Sequence, residues 1–422
     1  MVFLAYIDPG TGSMLFTILV SVIGAAAYAL RNLFMKLQFV VSAGKIDEAN
    51  RNRLPLVIYS DSTRYWNMFG PICEELEKRG QETAYMTSSP DDPALESTFK
   101  HIHCSFIGEG NRAYAKLNAL SADVLLTTTP GLDVYQWKRS KGVKEYVHII
   151  HMCSDPVIYR MFGTDYFDVL LLSGEYQIGQ IRELEKLRDL PAKEIELVGV
   201  PYMDALKAKL EAAPPLPPHP RTVLLAPSWG PSGIFTQYGE AIFEALQKTG
   251  YRVIVRPHPQ SLVSEKPLLE KLKGAYPDSD WMEWDFANDN FETLRRADIL
   301  ISDFSGVIFD FALVFDKPII YADTSFDKGV YDACWLKEEL WTFTTLPKIG
   351  RRLTRKGLPS IKSLIDTCLD EPAFQQARAQ ARKETWAHVG QSVPRTVDYL
   401  AGLLSKTKEI SPDRKQSRFT TK

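Results

Sequence analysis

Two basic side chains stand together in Arg256-Pro257-His258-Pro259, directly after the apolar run 252–255. The prolines fix the backbone on either side of one imidazole, which presets the direction of that ring. Arg256 offers a planar fork suited to gripping phosphate. His258 offers a ring N–H to a phosphate oxygen, or a proton to a leaving group. A structural turn whose histidine bonds only its own backbone is the alternative. A second group is Ser302-Asp303-Phe304-Ser305-Gly306, leading into Val307-Ile308-Phe309-Asp310-Phe311. A strand that feeds a Ser/Gly turn and then a helix exposes backbone N–H groups and a positive dipole end, a seat for a diphosphate. Ser302, Ser305 and Gly306 line that seat. Asp303 is ill suited to face phosphate and reads as an orienting or capping residue, while Asp310 lies within reach of a ribose hydroxyl. Helix capping alone is the plainer reading of the motif. A third loop, Ala226-Pro227-Ser228-Trp229-Gly230-Pro231-Ser232-Gly233, offers the Ser228 hydroxyl and backbone donors for phosphate and Trp229 to stack on a base. By itself it is equally well an ordinary loop.

In the first half, His148 and His151 flank Ile149-Ile150 at a strand end. His151 emerges into the loop and is the candidate general base, whereas His148, inside the strand, reads as a packed and satisfied histidine. A base on one half and phosphate groups on the other are expected to meet when a cleft closes and excludes water.

These residues need strands that end beside them. Short β-rich runs at 54–59, 82–86, 122–127, 146–150, 168–172 and 196–198 alternate with helical stretches such as 66–79. Such alternation predicts a parallel sheet covered by helices. Residues 212–220 hold five prolines and break the pattern as an interdomain linker. The alternation then restarts with strands at 223–226, 252–255, 298–302 and 318–321 and helices at 238–249, 266–272 and 307–315. The expected architecture is α/β: two Rossmann-like domains, 50–210 and 221–375, facing a cleft. A helical segment at 376–404 crosses back onto the first domain, and a basic, disordered tail follows at 409–422.

With 422 residues and a net charge of −2, the chain is long enough for two cores and lacks the basic excess of a nucleic-acid binder. Five dispersed cysteines form neither a disulfide framework nor a zinc site. The string Asp278-Ser279-Asp280, after Pro277, reads as a surface turn, and no obligatory metal and no cofactor are expected. Within 1–40, residues 14–30 carry no charge and span roughly 25 Å as a helix. Arg31, Lys36 and Lys45 follow that stretch, an order opposite to that of a signal peptide. This predicts an N-terminal membrane-associated helix, spanning or re-entrant, with the remaining chain on the cytoplasmic side of the inner membrane.

The motifs Arg256-Pro257-His258-Pro259, 297–311 and Lys317-Pro318-Ile319-Ile320, with Ala226-Pro227-Ser228-Trp229 and His151, resemble the CDP-glycerol glycerophosphotransferase family of teichoic-acid-type enzymes. The resemblance covers roughly 145–322. It implies a GT-B fold, a CDP-polyol donor, a polyol-phosphate or lipid-linked glycan acceptor, a membrane partner and no nucleic acid. His151 would then be the base on the acceptor hydroxyl. His258 and Arg256 would steady the diphosphate, and Ser302, Asp303, Ser305 and Gly306 would complete the cradle. Gly306 replaces the family's second serine and Met152 the glycine after the first-domain histidine; the lysine usual a few residues later is missing, with Arg160 as its substitute. A glycosyltransferase or a UDP-N-acetylglucosamine 2-epimerase on the same fold is the first alternative reading, and a catalytically silent membrane scaffold the second.

Overall fold

Two all-parallel sheets, each wound by helices, make up the computed structural model, which describes residues 53–287 and 289–409. The first sheet contains β1 (Leu54–Ser60), β2 (Thr83–Thr87), β3 (Ile102–Phe106), β4 (Ser121–Thr127), β5 (Gly142–Ile149), β6 (Val169–Leu172) and β7 (Glu194–Leu197). Its strand order is β3-β2-β1-β4-β5-β6-β7. The second contains β8 (Thr222–Leu225), β9 (Arg252–Val255), β10 (Met282–Trp284), β11 (Ile299–Ser302), β12 (Ile319–Ala322) and β13 (Gly350–Leu353), in the order β10-β9-β8-β11-β12-β13. Central strands such as β4, β6, β8 and β11 are buried almost throughout, because helices cover both faces, and so they read as continuous apolar runs.

In each sheet the winding reverses once, between β1 and β4 in the first and between β8 and β11 in the second. Neighbouring strands part at such a reversal, and a crevice opens beyond their carboxyl ends. The loops that meet there are 60–65 with 128–131 in the first half, and 226–233 with 303–306 in the second.

Several sequence expectations change in detail. The helix expected over 238–249 breaks into Ile234–Tyr238 and Glu240–Gln247, because Gly239 adopts φ 55° and ψ −138°, a backbone state that side chains oppose. The helix expected over 307–315 has one turn of α-helix, Val307–Phe309, followed by a π-turn, Asp310–Val314. Strands β3, β10 and β13 have no counterpart in the expected set. The expected membrane helix and most of the tail fall outside the described residues. No helix among the described residues is long and apolar enough to cross a membrane.

Helix α1 (Trp66–Lys78) belongs to the first half, and four helices tie the halves together: α2 (Pro201–Ala212), α3 (Trp341–Ile349), α4 (Ala373–Thr385) and α5 (Ser392–Glu409). Helix α5 returns to the first half, where Val397, Leu400, Leu403 and Leu404 pack with Leu56, Ile58, Phe69 and Val124. Three carboxylates on loops or helix starts hold the crossings. Asp155, fully buried in the first half, accepts from the Trp341 and Thr342 amides (2.8 and 2.9 Å), the free N–H groups that begin α3. Asp332 accepts from the Phe162 and Gly163 amides (2.7 and 3.0 Å) and from Arg188 (2.5 Å). Asp204 on α2 accepts from the Trp386 indole (2.9 Å) and the Gly390 and Ser392 amides (2.7 and 2.8 Å).

Candidate active site

The second-half loops are organised by Asp303. Its carboxylate is 1% exposed and accepts from the backbone amides of Ser228 (2.9 and 3.1 Å), Ile234 (3.1 Å), Phe304 (2.7 Å) and Ser305 (3.2 Å). Burial raises this carboxyl, opposed by the backbone amides of Ser228, Phe304 and Ile234 that donate to it. One residue after β11 thereby gathers both ends of the 226–234 loop and fixes the turn that opens the helix at Val307. Asp303 is a positioning residue rather than a ligand contact, as its charge suggested. Ser302 corrects the sequence reading: its buried hydroxyl donates to the Ala226 carbonyl (2.6 Å), joining the ends of β8 and β11, so it has no proton left for a phosphate. Ser228 is likewise buried, and its amide is committed to Asp303. Ser305, Gly306 and Trp229 are half-buried at the crevice. A Cβ on Gly306 would meet nothing within 4 Å, so open space adjoins the helix start.

Arg256 departs from its expected role as a free phosphate fork. One terminal nitrogen is paired with Asp285 (2.5 Å) and the other donates to the Ala287 carbonyl (2.6 Å). Burial raises the Asp285 carboxyl, but Thr293, the Ala287 amide and Arg256 together outweigh that and lower it below its ordinary value. In this arrangement the guanidinium braces the loop after β10. Asp310, expected near a ribose, instead accepts from the Tyr202 hydroxyl of α2 (3.4 Å), and burial pushes its carboxyl up to about 7. Asp278 accepts from the Trp284 amide (2.7 Å) and pairs with Lys273 (3.6 Å), as a surface turn does. Arg160 is exposed and bridges through its backbone to Tyr331.

The two candidate catalytic histidines are held in opposite ways. At the end of β5, His151 Nδ1 lies 2.7 Å from Thr128 Oγ1. That hydroxyl donates its single proton to the Ile149 carbonyl (2.7 Å), so it can only accept from His151. Neutral His151 therefore carries its proton on Nδ1 and keeps a bare Nε2. In His258 the Gln260 backbone N–H donates to Nδ1 (3.1 Å), so neutral His258 carries its proton on Nε2. One ring is set to accept a proton and the other to donate a hydrogen bond. Burial first, then the charge of Arg64, lowers both rings from 6.5 to about 4. Both are thus neutral near pH 7.

His148 is fully buried between Phe167 (4.8 Å between rings) and Tyr159 (5.4 Å). Its Nε2 lies 3.3 Å from the Tyr159 hydroxyl, but Nδ1 finds no partner among the described residues. It is packed as expected and only half satisfied.

Sequence reading missed Thr128, Asp61, Arg64 and Tyr65. The Tyr65 ring packs at a tilt of 53°, 5.0 Å from His151. The signal was available: polar residues after a strand end marked the second-half loops, and Asp61-Ser62-Thr63-Arg64 follows β1 in the same manner.

Residues 170–334 match the family model of CDP-glycerol:poly(glycerophosphate) glycerophosphotransferase. Over that stretch the chain is glycerophosphotransferase-like. The match includes the second-half site residues from Ser228 to Asp310 and begins beyond His151. No curated protein sequence matches the chain at a significant level. Among solved structures, the wall teichoic acid polymerase TagF is similar, with a TM-score of 0.56 at 15% identity, covering 86% of this chain and 92% of that one. A putative UDP-N-acetylglucosamine 2-epimerase from Listeria monocytogenes is as similar in fold (TM-score 0.56, 13% identity, 85% and 98% covered). So is the Neisseria meningitidis UDP-GlcNAc 2-epimerase bound to UDP-GlcNAc (TM-score 0.56, 12% identity, 83% and 100% covered). At such identities the likeness concerns the fold alone: a GT-B-like pair of parallel α/β sheets.

Proposed function

We propose that the protein transfers a polyol phosphate, glycerol phosphate foremost, from a CDP-linked donor to an acceptor hydroxyl, releasing CMP. The observation that carries this reading is the opposed hydrogen bonding of His151 and His258 at the ends of strands in the two halves; the family match over the donor-side loops supports the choice of donor. His151 Nε2 takes the proton of the acceptor hydroxyl as that oxygen bonds to the donor's β-phosphorus. The bond from that phosphorus to the bridging oxygen breaks, and the electron pair leaves with CMP. His258 Nε2–H and the helix start at Gly306 and Val307 meet the charge that builds on the phosphate oxygens. Residues 14–30 attach the chain to the cytoplasmic membrane, with Arg31, Lys36 and Lys45 keeping the sheets on the cytoplasmic side.

The test is thermal stability of the detergent-purified protein with CDP-glycerol, CDP-ribitol, CDP, UDP and UDP-N-acetylglucosamine, followed by CMP release, beside His258→Ala. A ligand at about 100 times its Kd stabilises by about 2.7 kcal/mol. A cytidine-selective shift that weakens in the variant, with CMP formed, supports the proposal; a uridine-selective shift overturns it. The epimerase reading is kept as the rival because epimerase structures superpose as well as TagF does.

A further inference from the structure

Tyr159 lies between the two histidines of the first half. It sits on the loop that leaves β5, just after the turn Pro156–Ile158, and its backbone is fixed on both sides. The amide donates to the Pro156 carbonyl (3.3 Å), and the carbonyl accepts from the Asp332 amide of the second half (2.9 Å). The ring is buried, packing edge-on against His148 at 5.4 Å and at a tilt against His151 at 6.0 Å. Its hydroxyl oxygen is 3.3 Å from His148 Nε2 and 3.4 Å from His151 Nδ1. Burial raises this phenol well above its ordinary value, so it keeps its proton. One oxygen therefore has a single proton to give and an imidazole nitrogen on either side. The direction of the bonds follows from the protons available. Thr128 spends its hydroxyl proton on the Ile149 carbonyl, which places the His151 proton on Nδ1. The Tyr159 oxygen can then only accept from that N–H, and its own proton goes to His148 Nε2. His148 must in turn carry its proton on Nδ1, the atom that finds no partner among the described residues. Packing alone does not call for an imidazole here: between Phe167 and Tyr159 an apolar side chain would fill the space and leave no nitrogen unpaired.

We infer that His148 and Tyr159 are positioning residues for His151: His148 Nε2 draws the Tyr159 proton away from His151, and the oxygen so turned is a second acceptor for the His151 Nδ1–H. The bare Nε2 of the base is thus set from two sides, by Thr128 at 2.7 Å and by Tyr159 at 3.4 Å. This inference rests on the transferase reading, with His151 as its base. It gives the unpaired buried histidine a task that packing does not.

The test is a cycle of variants in the full-length protein, read by CMP release from CDP-glycerol and by imidazole 15N shifts recorded without substrate. His148→Leu removes the nitrogen that takes the Tyr159 proton. That proton then turns to His151 Nδ1 and favours the Nε2–H tautomer, so kcat should fall about tenfold with the KM of CDP-glycerol unchanged. Tyr159→Phe removes the second acceptor and the misdirected proton together, and should cost only about threefold. The double variant should match Tyr159→Phe, so that deleting the hydroxyl rescues His148→Leu. His148→Gln, whose amide oxygen can take the same proton, should recover most of the rate. The 15N shifts should place the proton of wild-type His151 on Nδ1 and move it toward Nε2 in His148→Leu. A merely structural role gives losses that multiply in the double variant, and that result overturns the inference. So does a His148→Leu enzyme with kcat within twofold of wild type, or a wild-type His148 protonated on Nε2. If wild type releases no CMP, the transferase reading fails instead, and the 15N shifts still decide the bond directions. Melting curves control for folding; should His148→Leu not fold, the tautomer of His148 in wild type decides.

Discussion

Replacing Thr128 by valine isolates the element that makes His151 a base. The substitution keeps the β-branched shape and removes one hydroxyl, which accepts from His151 Nδ1 and donates to the Ile149 carbonyl, both at 2.7 Å. Thr128 is fully buried, so neither partner gains water in exchange. Each group orphaned at such a site costs about 1–3 kcal/mol of stability. The catalytic consequence is separate. A hydrogen bond worth about 1 kcal/mol holds the Nδ1–H tautomer. Its loss lets the proton move to Nε2, where the acceptor hydroxyl must dock. The fraction of enzyme with a bare Nε2, and hence kcat, should fall about fivefold to tenfold. KM for the donor should stay constant, because His258 and the 303–306 turn are untouched. Thr128→Ser should recover most of the rate. CMP release at saturating donor measures kcat, and 15N shifts of the imidazole report the tautomer without any substrate. A Thr128→Val enzyme with kcat within twofold of wild type would refute the reasoning. So would a wild-type His151 protonated on Nε2.

Four further outcomes follow from the site and its supports. Because His151 must be neutral to act and is lowered to about 4 in the free protein, the acidic limb of kcat/KM should fall near pH 4 rather than 6.5, read from a pH–rate profile. The same depression at His148 (about 3), His151 and His258 (about 4) makes stability pH-dependent: as pH falls below 6.5 the unfolded chain takes up protons that the folded chain refuses, so the urea midpoint should drop steadily between about pH 6.5 and 4 and stay flat above pH 7. Gly306→Ser is sterically free, since its φ of −55° suits any residue and its Cβ meets nothing within 4 Å; it should leave the melting temperature unchanged and tighten donor binding about threefold to tenfold, the worth of one added hydrogen bond, by calorimetry. Asp155→Ala strips the start of α3 of its acceptor and leaves two buried amides unpaired; it should cost about 3 kcal/mol and lower the melting temperature by roughly 6–12 °C, with CMP affinity largely retained.

What could be read in advance was the arrangement along the chain. Buried central strands such as β4, β8 and β11 must be apolar on both faces, so their residues announce themselves, and the polar loops that follow mark the crevice ends. Edge strands obey no such rule. β3 (IHCSF), β10 (MEW) and β13 (GRRL) carry polar or charged residues because one side meets solvent, and they lack the run that identifies a strand.

Residue type could also nominate His151, His258, Ser305 and Gly306 for the site, because imidazoles, hydroxyls and bare amides after strand ends have few other uses. It could not say where each group points. Ser302 and Arg256 carry the right chemistry for phosphate, yet one hydroxyl closes a gap between two strands and one guanidinium braces a loop, since their partners Ala226, Asp285 and Ala287 are distant in sequence. The proton positions on the two histidines depend on neighbours in the folded chain, Thr128 with the more distant Tyr159 hydroxyl (3.4 Å) for His151 and the Gln260 amide for His258. Composition decided which functional groups this protein owns; only the tertiary contacts decided which of them remain unpaired at the crevice, because a polar group is available to a ligand only when the fold has not already satisfied it.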